Sequence, residues 1–167
     1  GYLVTSPSAR AAAIKARQIA ERKGVKTALT FSDPNMVKFF RDGLQDMAGD
    51  GVDLLFCNHQ EALFWAETDS IEEAAERLKR TAKTFAITLG SEGALLFDGQ
   101  NLIKVPATPV KAVDTNGAGD MFAGAFLYGL THGYDFARAG ALATKAAAKL
   151  VTQFGPRLKP EEHKPLL

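Results

Sequence analysis

Asp114-Thr115-Asn116-Gly117-Ala118-Gly119-Asp120 is the stretch on which the fold turns. The strand-like Val110-Lys111-Ala112-Val113 precedes it and an apolar helical run follows it. Glycines let a turn aim its backbone N–H groups at a ligand, and the start of a helix adds a partial positive charge in the same direction. A carboxylate at the far edge of such a nest repels an anion. Its use there is to accept a proton from a nucleophile that attacks the anion. The stretch therefore points to phosphoryl transfer onto a hydroxyl, with Asp120 as base. As a plain first-turn acid, Asp120 would only complement the helix dipole.

Outward from this loop the chain alternates strands and helices. Ser6-Pro7 opens a helix that Gly24 closes. Val25, Thr27, Leu29 and Phe31 alternate as a strand, and Met36, Phe40, Leu44 and Met47 mark a second helix. Val52–Cys57 has the apolar run of a strand covered on both faces. A short helix spans Gln60 to Trp65, and Ser70-Ile71-Glu72-Glu73 is a capping box for the next. Thr84–Leu89 is a further strand, Asp98-Gly99 turns a hairpin, and two long helices follow, burying Phe122, Phe126, Leu127 and Leu130 in the first. Gly1-Tyr2-Leu3-Val4 has the look of a strand end, and the tail from Arg157 looks loose. This order predicts an α/β fold, a mainly parallel sheet with helices on both faces, and ligands at the strands' carboxyl ends.

The bulk properties narrow the function. With 167 residues, 46% hydrophobic and 23% charged, the chain has the composition of one globular domain. A net charge of +1, from 20 basic and 19 acidic residues, implies no surface for nucleic acid. No apolar run reaches the roughly 18 residues of a membrane span, and no signal peptide begins at Gly1. A single cysteine allows no internal disulfide, which suits a reducing, cytoplasmic setting.

Three motifs in order carry a family resemblance. Asn58-His59-Gln60-Glu61, Thr88-Leu89-Gly90-Ser91-Glu92-Gly93 and Asp114–Asp120 resemble the N-x-x-E, T-x-G-x-x-G and D-T-x-G-A-G-D signatures of PfkB carbohydrate and nucleoside kinases. The resemblance runs over essentially the whole chain. It implies a ribokinase-like, three-layer αβα fold, of which residues 1–167 would form the nucleotide-binding C-terminal portion. The N-terminal half that supplies the acceptor pocket and lid would be absent.

The resemblance also implies roles. Asp120 would be the catalytic base, and Gly117, Ala118 and Gly119 the anion hole. Thr88, Gly90, Gly93 and Asn116 would serve the nucleotide. Asn58 and Glu61 would organise Mg2+ through water, although the pair also has the form of a helix cap with a solvent-facing acid. Asp114 is a candidate for holding a monovalent cation such as K+. The stretch Ala143 to Ala148 would line the adenine pocket with small residues. The expected activity is ATP-dependent phosphorylation of a sugar or nucleoside, with adenosine-kinase-like wording in Phe154-Gly155-Pro156-Arg157 and Leu55-Phe56-Cys57-Asn58. A ribokinase- or fructokinase-type acceptor, or a nucleotide-binding module that transfers nothing, remains open. The 167 residues alone are expected to be inactive, and an unpaired sheet edge would favour homo-oligomers.

Overall fold

A computed structural model describes residues 1–166; Leu167, the end of the expected 1–167 portion, lies outside the described residues. Two compact units divide the chain, Gly1–Ile87 and Thr88–Leu167.

In the first unit Ser6 caps helix α1 (Pro7–Arg22), with Pro7 in its first turn, and Gly24 follows in the left-handed conformation at φ +66°. Strand β1 (Ala28–Thr30) is followed by α2 (Pro34–Phe39), α3 (Arg41–Ala48), β2 (Val52–Asn58), α4 (His59–Ala66), α5 (Ile71–Leu78) and β3 (Ala82–Thr88). The strands lie in sequence order. β1 and β2 pair in parallel, with Ala28, Leu29 and Thr30 opposite Leu54, Leu55 and Phe56. Asp53 ties the strands together by accepting from the Thr27 amide at 2.8 Å and from Lys83 Nζ at 2.9 Å. The bond from Lys83, with that amide next, holds its carboxyl below the ordinary value. Leu44, Leu55, Leu78, Phe85 and Ile87 are fully buried, and the Phe31 and Trp65 rings meet at 4.6 Å.

The second unit begins with an antiparallel hairpin of β4 (Ala94–Phe97) and β5 (Leu102–Val105). Asp98 shapes its turn by accepting from the Gln100 and Asn101 amides. Helices α6 (Ala118–Thr131) and α7 (Phe136–Val151) pack on each other, and the short α8 (Pro160–His163) follows. A Cβ on Gly140 would stand 2.6 Å from Leu96, so α7 rests directly on the hairpin. With parallel pairing in the first unit and antiparallel pairing in the second, the fold is α/β with mixed strand pairing. Among the described residues no helix is long and apolar enough to cross a membrane.

Several local expectations change. Tyr2–Thr5 is a 3-10 turn, closed by the Val4 amide on the Gly1 carbonyl, and not a strand end. Val25 belongs to the close of α1, where its amide donates to the Ala20 carbonyl, so β1 is only three residues long. The helix expected over 36–47 breaks at Phe40, whose φ of −128° interrupts the helical path. The Ser70 box is half made: Ser70 accepts from the Glu73 amide, but the Glu73 carboxylate takes the Thr68 hydroxyl instead. Leu127 is exposed on α6, and Gly129 is buried there beside Phe122 and Phe126. No strand forms at 110–113; the Val113 and Asp114 amides donate to the Val151 carbonyl. The tail is held, since Lys145 donates to the Pro165 and Leu166 carbonyls and Lys149 pairs with Glu162 at 3.1 Å.

Candidate active site

The loop that enters α6 is built by Asp114. One of its carboxylate oxygens accepts from the Asn116 amide and the other from the Gly155 amide, both at 3.0 Å. Those two bonds, Asn116 first, hold its carboxyl below the ordinary value of 3.8. Gly117 then turns the chain at φ +78°, and a Cβ there would lie 2.5 Å from the Pro156 carbonyl oxygen. Only glycine satisfies both demands. The loop and the Gly155-Pro156 turn therefore set each other, a pairing that the spacing of the sequence does not announce.

No side chain caps α6. The amides of its first turn have no carbonyl within the helix to meet, and the helix dipole adds to their pull on an anion. Ala118 gives its N–H to the Thr115 carbonyl at 3.2 Å, so Gly119 and Asp120 are the better donors of the expected anion hole. The Asp120 side chain stands exposed on the first turn.

A cavity of about 480 Å³ brings Thr88, Gly90 and Gly93 together with Ala118 and Gly119. Gly93 shapes the turn: at φ +99° its Cβ would collide with the Val105 carbonyl. Gly90 and Gly119 have open space where a Cβ would be; the left-handed φ of +60° accounts for Gly90, whereas neither packing nor backbone conformation accounts for Gly119. The far wall is a face of α7 formed by Thr144, Ala147, Ala148 and Val151, within and just beyond the expected small-residue stretch. Asn116 and Gly117 do not line this cavity. Asp120 borders a second one, of about 730 Å³, beside Tyr128, Arg157 and His163.

Asn58 and Glu61 belong to the first unit and form a complete capping box at α4. The Asn58 amide and Nδ2 donate to the two Glu61 oxygens at 2.9 and 2.8 Å, and the Glu61 amide donates back at 2.9 Å. Glu61 is 3% exposed, so the solvent-facing alternative does not hold. Burial is the main force raising its pKa, the Asn58 amide opposes it, and Asp33 adds to the rise. Among the described residues no group of three or more His, Cys, Asp or Glu is arranged to hold a metal ion.

The sequence profile described as pfkB family carbohydrate kinase matches residues 1–163. The chain belongs to this kinase family. It is 39% identical over 106 residues to a ribokinase of Lactococcus lactis subsp. lactis, covering 64% of this chain and 34% of that protein. The crystal structure of adenosine kinase from Sinorhizobium meliloti superposes with a TM-score of 0.92 at 36% identity, over 98% of this chain and 51% of that one. A putative ribokinase II from E. coli, solved in complex with ATP and Mg2+, gives 0.85 at 26% identity, over 98% and 55%. The three-layer α/β fold is thus that of the ribokinase-like kinases. This pfkB-family chain spans a third to about half of the length of these relatives.

Proposed function

We propose that this chain is the nucleotide-binding part of a kinase that moves the γ-phosphoryl group of ATP to a hydroxyl of a sugar or nucleoside. One observation carries the reading: the uncapped first turn of α6 presents Gly119 to the cavity of Thr88 and Gly90, and one residue later turns the Asp120 carboxylate to a different cavity. Donors for the transferring phosphoryl group and a base for the acceptor thus occupy adjacent residues. Asp120 takes the proton of the attacking hydroxyl, and the Gly119 and Asp120 amides, with the helix dipole, stabilise the charge that builds on the phosphoryl oxygens.

Two ions enter this reading. Magnesium keeps several waters and shares phosphate charge, so a site with few protein ligands suits it. Asn58 and Glu61 would hold its waters; a carboxylate whose ionised form is penalised by burial gains from a nearby cation. Asp114, at the loop that enters α6, would help to hold a monovalent cation such as K+. An adenosine-type acceptor is favoured by 36% identity across nearly the whole chain to the Sinorhizobium adenosine kinase. The Lactococcus ribokinase, 39% identical over a shorter span, supports a sugar acceptor as the second reading.

The test is Asp120→Asn in the complete kinase. Turnover should fall by several orders of magnitude while the affinity for ADP stays within about twofold, because the side chain acts on the acceptor and not on the nucleotide. A near-wild-type rate would remove Asp120 from the role of base.

A further inference from the structure

In the loop that enters α6, Asn116 has a side chain that nothing holds. Of the four asparagines in the sequence it alone precedes a glycine; the others are followed by Met36, His59 and Leu102. Asn116 is exposed, and its backbone N–H is fixed on Asp114 at 3.0 Å. Among the described residues its carboxamide makes no hydrogen bond, and the Gly117 N–H meets no acceptor, although the next amide, that of Ala118, is taken by the Thr115 carbonyl. Asn58 shows the contrast: Glu61 binds its carboxamide at both ends. A free carboxamide thus stands beside a free backbone nitrogen that carries no side chain.

We propose that Asn116 is a site of spontaneous deamidation, and that its conversion weakens phosphate binding at the first turn of α6. The Gly117 nitrogen attacks the carboxamide carbon of Asn116. A C–N bond forms, the bond to the side-chain –NH2 breaks, and ammonia leaves with the amide proton. Water then opens the cyclic imide at either carbonyl, giving an ordinary aspartate or an isoaspartyl link at position 116. Asparagine is among the thermolabile residues, and glycine, without a Cβ, leaves the ring room to close. Either product brings a negative charge to the uncapped start of α6, whose dipole and amides suit an anion. The isoaspartyl form also lengthens the backbone just ahead of Gly117, where a Cβ would already stand 2.5 Å from the Pro156 carbonyl oxygen. The effect on phosphate rests on the kinase reading above; the conversion itself does not.

The test ages the 167-residue chain, folded and in urea, at mildly alkaline pH. Peptide mass maps locate the conversion, and labelling by an isoaspartate methyltransferase detects the isoaspartyl link. Conversion should concentrate at residue 116, run in the folded chain at a rate comparable to that in urea, and quicken as pH rises, because the attacking nitrogen must lose its proton. Titration with ADP at fixed Mg2+ should show affinity about tenfold lower after ageing, the scale of one added like charge beside a bound anion. Fresh Asn116→Asp should show a similar loss without the lengthened backbone, and Asn116→Gln should keep on ageing whatever affinity it starts with. Residue 116 intact in the folded chain while it converts in urea would overturn the proposal, as would conversion that leaves ADP affinity unchanged. Failure of the fresh chain to bind ADP would overturn the kinase reading and the effect on phosphate with it, while the mass maps still decide the modification.

Discussion

Glu61 shows how a motif residue can have a structural duty that its spacing conceals. Its two oxygens satisfy the Asn58 amide and side chain at the start of α4, inside the core of the first unit. Glu61→Ala would strand both donors, and a buried donor without a partner costs about 1–3 kcal/mol. Urea unfolding should therefore show a loss of that size; an unchanged midpoint would mean that water replaces the carboxylate. The N-x-x-E spacing was legible in the sequence, because residues three apart on a first helical turn face each other. Burial was not, since it depends on which distant segments cover that turn, and Asp33 reaches the same environment from another loop.

At the scale of one element, α6 separates two glycines that look equivalent in sequence. Gly117 is demanded by the fold, with φ +78° and Pro156 directly against it; Gly119 has an ordinary φ and open space around its α-carbon. Gly117→Ala should lower stability by at least about 1 kcal/mol in urea unfolding. Gly119→Ala should leave stability equal or slightly higher, as alanine favours a helix by up to about 1 kcal/mol. Its methyl group, however, enters the cavity mouth, and ADP affinity should drop about tenfold or more in a titration. If Gly119→Ala binds ADP as the parent does, the first turn of α6 is not where the phosphates lie. The helix itself was readable from its apolar period. The missing strand before it was not: residues 110–113 have strand-like composition, but the Val113 amide donates to the Val151 carbonyl at the end of α7.

At the scale of the molecule, the 167 residues carry the two cavities proposed for phosphate and base, while their relatives are about two to three times as long as the part matched. Holding an acceptor hydroxyl in line with the γ-phosphate accounts for roughly 7–11 kcal/mol of catalysis. We expect the chain alone to bind ADP and to transfer nothing measurable from ATP to adenosine, ribose or fructose in a coupled assay; robust transfer would show that these residues suffice. The sequence by itself determined the α/β alternation, the three motifs in order, the cap at Ser6, and the family, because these rest on local periodicity, turn chemistry and short-range spacing. Only the tertiary structure decided that Thr88, Gly90 and Gly119 share one cavity while Asp120 borders another. It alone paired Asp114 with Gly155, buried Glu61 and tied down the tail. These facts join residues up to 41 positions apart, as in the Asp114 to Gly155 bond. Packing sets such distances, and no local pattern in the chain records them.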